Sequence, residues 1–387
     1  MINMKIVFSK MDKTILFLSI AFFLFGLVMI LSASSMESYM RYGYEPYHYF
    51  YRQASFLGVG AFLFFIIIHM PTKVYKRLSY LLIFASIIGL GALTVYGRMA
   101  NNAQSWFRVG ALSIQPSEFA KVIIIIFLAA YYDYNKEKLH DMKTLLMPII
   151  PIMIIIIMVA LQPDLGTAII IALISFLIFF SVPMPKKNIR KLRLSVILIS
   201  LIGVIGLLTF GNFILKDYQK ERFNFKDPCE RYQQESGYQL CNSFIAFKNG
   251  NITGQGIGKS TQKYLYLPES YTDFIFPIIV EEWGAWMGVL LIILYLIIIY
   301  KMYSIARKAN NLYNSLLAYG VCTYVLLHIC INLAGIMGLA PLTGVPLPFL
   351  SYGGSYAISL MVAIAIVERV SIESYNLRKK KEKKLKK

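Results

Sequence analysis

Apolar runs long enough to cross a bilayer recur along the chain and are separated by short polar linkers. They cover residues 14–32, 54–70, 79–97, 117–133, 144–161, 167–183, 195–214, 273–300, 315–336 and 351–368. A hydrocarbon layer about 30 Å thick requires roughly 20 apolar residues per helical crossing. Unbroken Ile, Leu and Phe is the helical pattern, whereas a barrel would alternate along segments of about ten residues. The pattern therefore predicts an all-α integral membrane protein of ten transmembrane helices, with both termini on the same side. One long polar connection, residues 216–272, lies between the seventh and eighth runs, and a connection of that length is functional or disordered. The chain reads as a single polytopic membrane domain, 1–387, with a large extracytoplasmic loop at 216–272 and a basic cytoplasmic tail at 370–387.

Composition supports this class, since 57% of residues are hydrophobic and 15% charged, against roughly 25% charged in soluble domains. The net charge of +19 would suggest nucleic acid in a soluble protein, but here its distribution excludes that reading. Basic linkers such as Lys73 to Arg77 and Lys186 to Lys191 alternate with linkers that lack such clusters, and the positive-inside rule puts the basic ones in the cytoplasm. On this layout the inner side holds 26 of the 39 Lys and Arg against 7 of the 20 Asp and Glu, and the outer side 13 of each. The whole excess is topological. The lysine-rich end from Arg378 onward is a solvated topology signal or a contact with anionic membrane lipids. The first run is too long for a signal-peptide core and reads as an anchor.

Inside the long loop, Tyr238, Cys241, Phe244, Ile245 and Phe247 recur at helical spacing. They predict an amphipathic helix, lying at the outer membrane surface or packed as a lid on the bundle. Cys229 and Cys241 share a compartment in which a disulfide can persist, and the spacing leaves a bridge open. Cys322 and Cys330 read as small core residues. The four histidines are scattered singly, which points to no metal site.

Charges at the edge of a membrane span are costly and mark candidate chemistry. Asp273, entering the apolar run FIFPIIV, leads the candidates, with Lys263 and Glu269 before it and Glu281 and Glu282 after it. Upstream, Gly258-Lys259-Ser260 resembles the end of a phosphate-binding loop, but Thr253 stands where that pattern needs glycine. Three further constellations fall on the outer side. Trp106 and Arg108 precede Gln115-Pro116-Ser117-Glu118, a helix start that presents unpaired N–H groups to an anion, and Lys121 shares a face with Glu118. That pair is a salt bridge inside the bundle or a phosphate or sugar site. Asp164, in Gln162 to Thr167, caps the next helix or joins the site. The stretch 338–355, with Ser351 near its end, is dense in proline and glycine, which at membrane depth suits backbone lining a wet cavity. An outward cavity with cations, helix starts and carboxylates suits a lipid-linked, phosphate-bearing substrate or a transporter with a midplane ion site.

These residues closely resemble the SEDS family of bacterial cell-wall proteins, whose members are FtsW, RodA and SpoVE. The matching stretches are SWFRVGALSIQPSEFAK at 105–121, QPDLGT at 162–167, the segment from Gly237 to Phe276, and PLTGVPLPFLSYGGS at 341–355. The resemblance implies a ten-span glycosyltransferase that polymerises lipid II at the outer face of the cytoplasmic membrane, working with a class B penicillin-binding protein and other division or elongation proteins. Undecaprenyl pyrophosphate is then the leaving group and no nucleotide is required. It also implies that Asp273 is the essential aspartate and that Trp106, Glu118 and Lys121 match conserved positions. As general base Asp273 would take the proton of the attacking hydroxyl, while Arg108, Lys121 and Lys263 would stabilise charge on the pyrophosphate. No ligand set for a metal stands out, although Mg²⁺ held by a carboxylate, the substrate phosphates and water fits the pattern. Two positions depart from the family: Ser105 stands where relatives carry a basic residue, and Val280 replaces the glycine of GEELG. The wording from Gln262 to Glu269 leans towards the division-type FtsW branch. A flippase for lipid-linked precursor is the rival reading.

Overall fold

The computed structural model describes residues 10–185 and 225–385, except 97, 101, 102, 110, 111 and 234. The described residues form twelve helices and one small sheet. In chain order these are α1 (Lys13–Tyr42), α2 (His48–His69), α3 (Thr72–Tyr96), β1 (Arg98–Ala100), β2 (Ala103–Val109), β3 (Leu112–Ile114), α4 (Pro116–Tyr134), α5 (Met142–Leu146), α6 (Ile149–Leu161), α7 (Leu165–Ser181), α8 (Glu235–Gly250), α9 (Ile275–Trp283), α10 (Ala285–Arg307), α11 (Leu312–Ile336) and α12 (Gly354–Leu385). Among the described residues, seven stretches are long and apolar enough to cross a membrane, the α5–α6 pair counting as one. The 19-residue α4 and 17-residue α7 coincide with two more of the expected runs. The run at 195–214 lies outside the described residues.

Helix ends follow local chemistry. Asp12 caps α1 by accepting from the N–H groups of Thr14 and Ile15 at 3.0 and 3.3 Å, and Asn311 caps α11 through the Asn314 N–H at 2.7 Å. The core is built on α4, α11 and α12, where Tyr132, Tyr324, Ile124 and Leu128 are shielded almost completely. Phe17, Leu24, Phe62 and Leu81 point outward from α1, α2 and α3, an apolar belt of the kind a bilayer covers.

Three features depart from the expected layout. The run 273–300 is two helices, because Gly284 takes φ +93° between α9 and α10 and a Cβ there would sit 2.1 Å from the Ile252 carbonyl oxygen. The loop backbone pairs with the groups freed at this break. Gln255 and Gly256 donate to the carbonyls of Glu281 and Glu282 at 2.9 and 3.0 Å, and the Ala285 N–H donates to Asn251 O at 2.8 Å. Residues 98–114 form an antiparallel β1–β2–β3 sheet, with Trp106 opposite Arg98, and Phe107 and Arg108 opposite Ile114 and Ser113. The fold is thus mostly helical rather than all-α, and strands this short leave no period to read. Lastly, α12 continues to Leu385, past the expected limit of 368, so most of the basic tail is helix. Its middle ties helix ends together. Glu373 accepts from the Thr72 N–H, the Thr72 hydroxyl and Asn314 Nδ2 at 2.9, 2.7 and 3.2 Å, and Glu368 accepts from the Asp12 N–H at 2.9 Å.

The helix expected from Tyr238 to Phe247 is α8, and it is a lid. Ser243 Oγ donates to Ile336 O at 3.0 Å, and Gly250 packs so closely on α9 that a Cβ would lie 2.2 Å from Val280 O. A disulfide joins Cys229 to Cys241 and so fastens the preceding turn to α8.

Candidate functional site

Asp273 stands at the start of α9, where unpaired helix amides favour a carboxylate. Residues 269–274 deliver it in a tight turn. Glu269 adopts φ +55°, and its carbonyl accepts from the N–H groups of Thr272 and Phe274 at 3.1 and 3.2 Å. The Thr272 hydroxyl lies 2.8 Å from both Glu269 Oε2 and Asp273 Oδ1, so it can serve either carboxylate. From α11, Asn332 Nδ2 donates to the Asp273 carbonyl and to Val345 O, each at 2.8 Å. The Tyr352 N–H holds Tyr271 O at 2.9 Å, and burial pushes the Tyr271 phenol well above its ordinary range, which keeps it neutral.

These ties set Asp273 into the wall of a small cleft that it shares with Asn332, Gly335, Thr343, Gly344 and Val345. Gly344 has φ +67°, and a Cβ on it would come within 3.7 Å of Asp273 Oδ2. Among the described residues no group of three or more His, Cys, Asp or Glu side chains gathers as a metal site. The Glu269 and Asp273 carboxylates on either side of the Thr272 hydroxyl are the pair that hydrated Mg²⁺ would use alongside substrate phosphates.

Glu281, Glu282 and Lys263 hold the loop in place. Glu281 Oε1 accepts from Asn249 Nδ2 and Thr261 Oγ1, both at 2.8 Å. Its Oε2 takes the Ser260 hydroxyl and the Gln262 N–H. Lys263 is 5% exposed and donates to Glu282 Oε1 at 2.9 Å, Ser32 Oγ at 2.9 Å and Gly258 O at 2.7 Å. An ammonium group so engaged fastens the loop to α1 and α9.

The Gln115 to Lys121 segment converges on the same end of the bundle. Pro116 opens α4, and the Gln115 N–H donates to Ser355 Oγ at 2.9 Å. Gln115 Nε2 reaches Asp164 Oδ2 at 2.9 Å, while Asp164 Oδ1 caps α7 through the Thr167 N–H at 3.1 Å. Asp164 therefore joins two helix starts. Lys121 is 1% exposed; its Nζ lies 2.8 Å from Glu118 Oε1 and 3.1 Å from His328 Nε2. The Glu118–Lys121 pair is thus a buried ion pair within the bundle. Ser351 is also buried, its Oγ accepting from the Leu347 N–H at 2.8 Å and so shaping the 347–351 turn. Trp106 is half-buried in β2, and Arg108 occupies the β2 register opposite Ser113.

The structure thus places Asp273 at the cleft, with Glu269 joined to it through the Thr272 hydroxyl, and Lys263, Ser351, Asp164, Glu118 and Lys121 in the hydrogen-bonded framework. Asn332, His328 and Thr272 escaped the reading of the sequence, and Gln115 entered it only as part of a helix start. The signal for the first two was present: polar residues four apart in an otherwise apolar span share a face.

A bundle of membrane-length helices that holds a carboxylate at a helix start, over a cleft at one end, is a polytopic membrane protein with one polar working face. Residues 12–376 match the model of the FtsW/RodA/SpoVE family, described as cell cycle protein, and the chain belongs to that family. It is 37% identical over 388 residues to the probable peptidoglycan glycosyltransferase FtsW of Bacillus subtilis (strain 168), covering 99% of this chain and 96% of the relative. Stage V sporulation protein E of the same organism is 31% identical over 363 residues, with 93% and 96% covered. Among solved structures, a chain of a peptidoglycan synthase complex that coordinates polymerization and crosslinking superposes with a TM-score of 0.74 at 26% identity, covering 94% of this chain and 98% of its own. The rod shape determining protein RodA of Thermus thermophilus shares the fold, with a TM-score of 0.67 at 24% identity and the same coverage.

Proposed function

We propose that Asp273 is the general base through which this chain, a peptidoglycan glycosyltransferase of the FtsW/RodA/SpoVE family, polymerises lipid II at the outer face of the cytoplasmic membrane. The observation that carries the reading is the placement of Asp273: its backbone is held by Asn332 and its carboxylate stands at a helix start on the wall of a cleft. A hydroxyl of the acceptor sugar attacks the anomeric carbon of the donor and forms the new C–O bond as its proton passes to Asp273. The bond from that carbon to the pyrophosphate breaks, and undecaprenyl pyrophosphate departs with the electron pair. A positioned base contributes about 10²–10⁴-fold to such a step. Asn332 orients Asp273, and Glu269, sharing the Thr272 hydroxyl, contacts the acceptor. Lys121 and Lys263 act by holding the framework, since each is buried against a carboxylate. Trp106 and Arg108, on the sheet that leads into α4, are the positions this reading assigns to the sugar-pyrophosphate.

In the cell this reading has ten spans, with 195–214 as the seventh, the 216–272 loop outside and both termini in the cytoplasm. The alternation of basic linkers supports it. Besides the sporulation protein and the Bacillus subtilis FtsW, six further relatives carry the FtsW name, which favours a division role. The partner is a class B penicillin-binding protein, whose crosslinking chemistry complements the polymerisation. The test is purified protein with that partner, given fluorescent lipid II in vesicles. Glycan strands supported by wild type and lost in Asp273→Ala bear the proposal out; lipid crossing the bilayer without strands makes the chain a flippase instead.

A further inference from the structure

The proposed reaction leaves His328, buried beside the Glu118–Lys121 pair, without a task, and its hydrogen bonds assign one. Lys121, paired with Glu118, is an ammonium group with donors and no acceptor. The 3.1 Å contact with His328 Nε2 therefore requires that nitrogen to offer its lone pair. A neutral imidazole accepting at Nε2 carries its proton on Nδ1, and Nδ1 faces the Pro346 carbonyl oxygen at 3.3 Å. One turn further along α11, Asn332 spends both amide hydrogens on Val345 O and on the carbonyl of Asp273. Tyr295 adds a hydrogen bond to Pro348 O.

The wall at 343–348 needs such props. It forms no helix or strand, and Pro346 and Pro348 have no N–H with which to build one. The carbonyls of Val345, Pro346 and Pro348 are held by side chains, and the same α11 face holds the backbone of Asp273. The ring has little freedom of its own, because Tyr356 stacks on it at 4.8 Å and 19° and Tyr324 meets it edge-on at 4.8 Å.

We infer that His328 is a positioning residue: aimed by Lys121, its Nδ1–H tautomer sets the distance between the 343–346 wall and Asp273, and so places the acceptor sugar against the base. This rests on the reading of Asp273 as base. It gives the buried Glu118–Lys121 pair a role in fixing a tautomer rather than in binding phosphate. It also specifies what can replace the ring. A glutamine amide carries one acceptor and one donor on a stem of similar reach, so His328→Gln can accept from Lys121 and donate to Pro346. His328→Leu fills the space and does neither.

The experiment combines kinetics with spectroscopy on full-length protein and its penicillin-binding partner. With fluorescent lipid II, His328→Gln is expected to keep kcat within about threefold of wild type, and His328→Leu to lose at least about tenfold in kcat with KM changed less than about threefold, the pattern of lost positioning rather than lost binding. Long-range ¹H–¹⁵N spectra of histidine-labelled wild type, with the His328 signal assigned by its loss in His328→Gln, are expected to show the Nδ1–H tautomer, and Lys121→Met to shift that signal. An Nε2–H tautomer, a leucine variant with wild-type kcat, or a glutamine variant as slow as leucine would overturn the inference; the spectra decide it even where His328→Leu does not fold. Asp273→Asn run in parallel separates the two claims, since an active Asn variant overturns the base while the tautomer still decides the role of His328.

Discussion

Replacing Lys263 with methionine separates a framework cation from a substrate-binding one. The methionine keeps most of the apolar stem and removes the ammonium group that donates to Glu282, Ser32 and Gly258. Glu282 is 1% exposed, and one of its carboxylate oxygens already lacks a hydrogen-bond partner. The variant leaves that carboxylate with the Ser32 hydroxyl at 2.6 Å. Polar side-chain contacts between membrane helices average only about 0.6 kcal/mol, but removing one member of a buried ion pair strands a charge and costs about 3–5 kcal/mol. The larger figure applies here because the surviving group is charged and shielded from water. Reversible unfolding in mixed micelles measures the loss, with tryptophan fluorescence as the local probe, since Trp283 Nε1 lies 3.3 Å from Met29 Sδ at the joint between α9 and α1. Adding Glu282→Gln should restore part of the stability, with a coupling of about 0.5–3 kcal/mol. A Lys263→Met protein as stable as wild type whose KM for lipid II rises about tenfold would refute this reasoning and return Lys263 to the substrate.

Asn332→Leu deprives the Asp273 and Val345 carbonyls of their donor; at about 1–3 kcal/mol for each unsatisfied buried group, kcat should fall about 10- to 100-fold in the polymerisation assay while the protein remains folded. Gly284→Ala places a Cβ 2.1 Å from Ile252 O at φ +93°, so the joint between α9 and α10 must shift, and thermal unfolding should show a loss of at least about 1–3 kcal/mol. The Cys229→Ser/Cys241→Ser pair opens a loop with a sequence separation of 12, where a crosslink contributes about 3 kcal/mol. Limited proteolysis should then cut near residues 226–235 faster, without loss of the helical bundle.

The membrane-crossing plan was legible because bilayer thickness imposes a length on every apolar run, and α1, α2, α3 and α11 fall on the expected runs to within about ten residues at either end. The break at Gly284 was hidden, since the apolar pattern continues across it and its cause is the close approach of Ile252, thirty-odd positions away in the chain. The sheet at 98–114 was hidden by its brevity. Within the site, the costly position of Asp273 at the edge of a span marked it directly. Charge alone could not tell whether Lys121 and Lys263 answer to a ligand or to Glu118 and Glu282, because an internal partner leaves the same residue types in the sequence. Asp164 shows the same ambiguity, and the structure gives it a cap and a second helix start. Asn332 and His328 read as isolated polar residues until the fold brought the 343–348 wall against their face of α11.

The most direct test of the account is the rate of lipid II polymerisation by Asp273→Asn in complex with the penicillin-binding partner, at matched folded protein. Asparagine keeps the shape of the side chain and its place beside Thr272 but accepts no proton at neutral pH. Loss of about 10²–10⁴-fold in kcat, with the unfolding transition unchanged, is the expected result. Glycan strands formed at the wild-type rate would contradict the central claim.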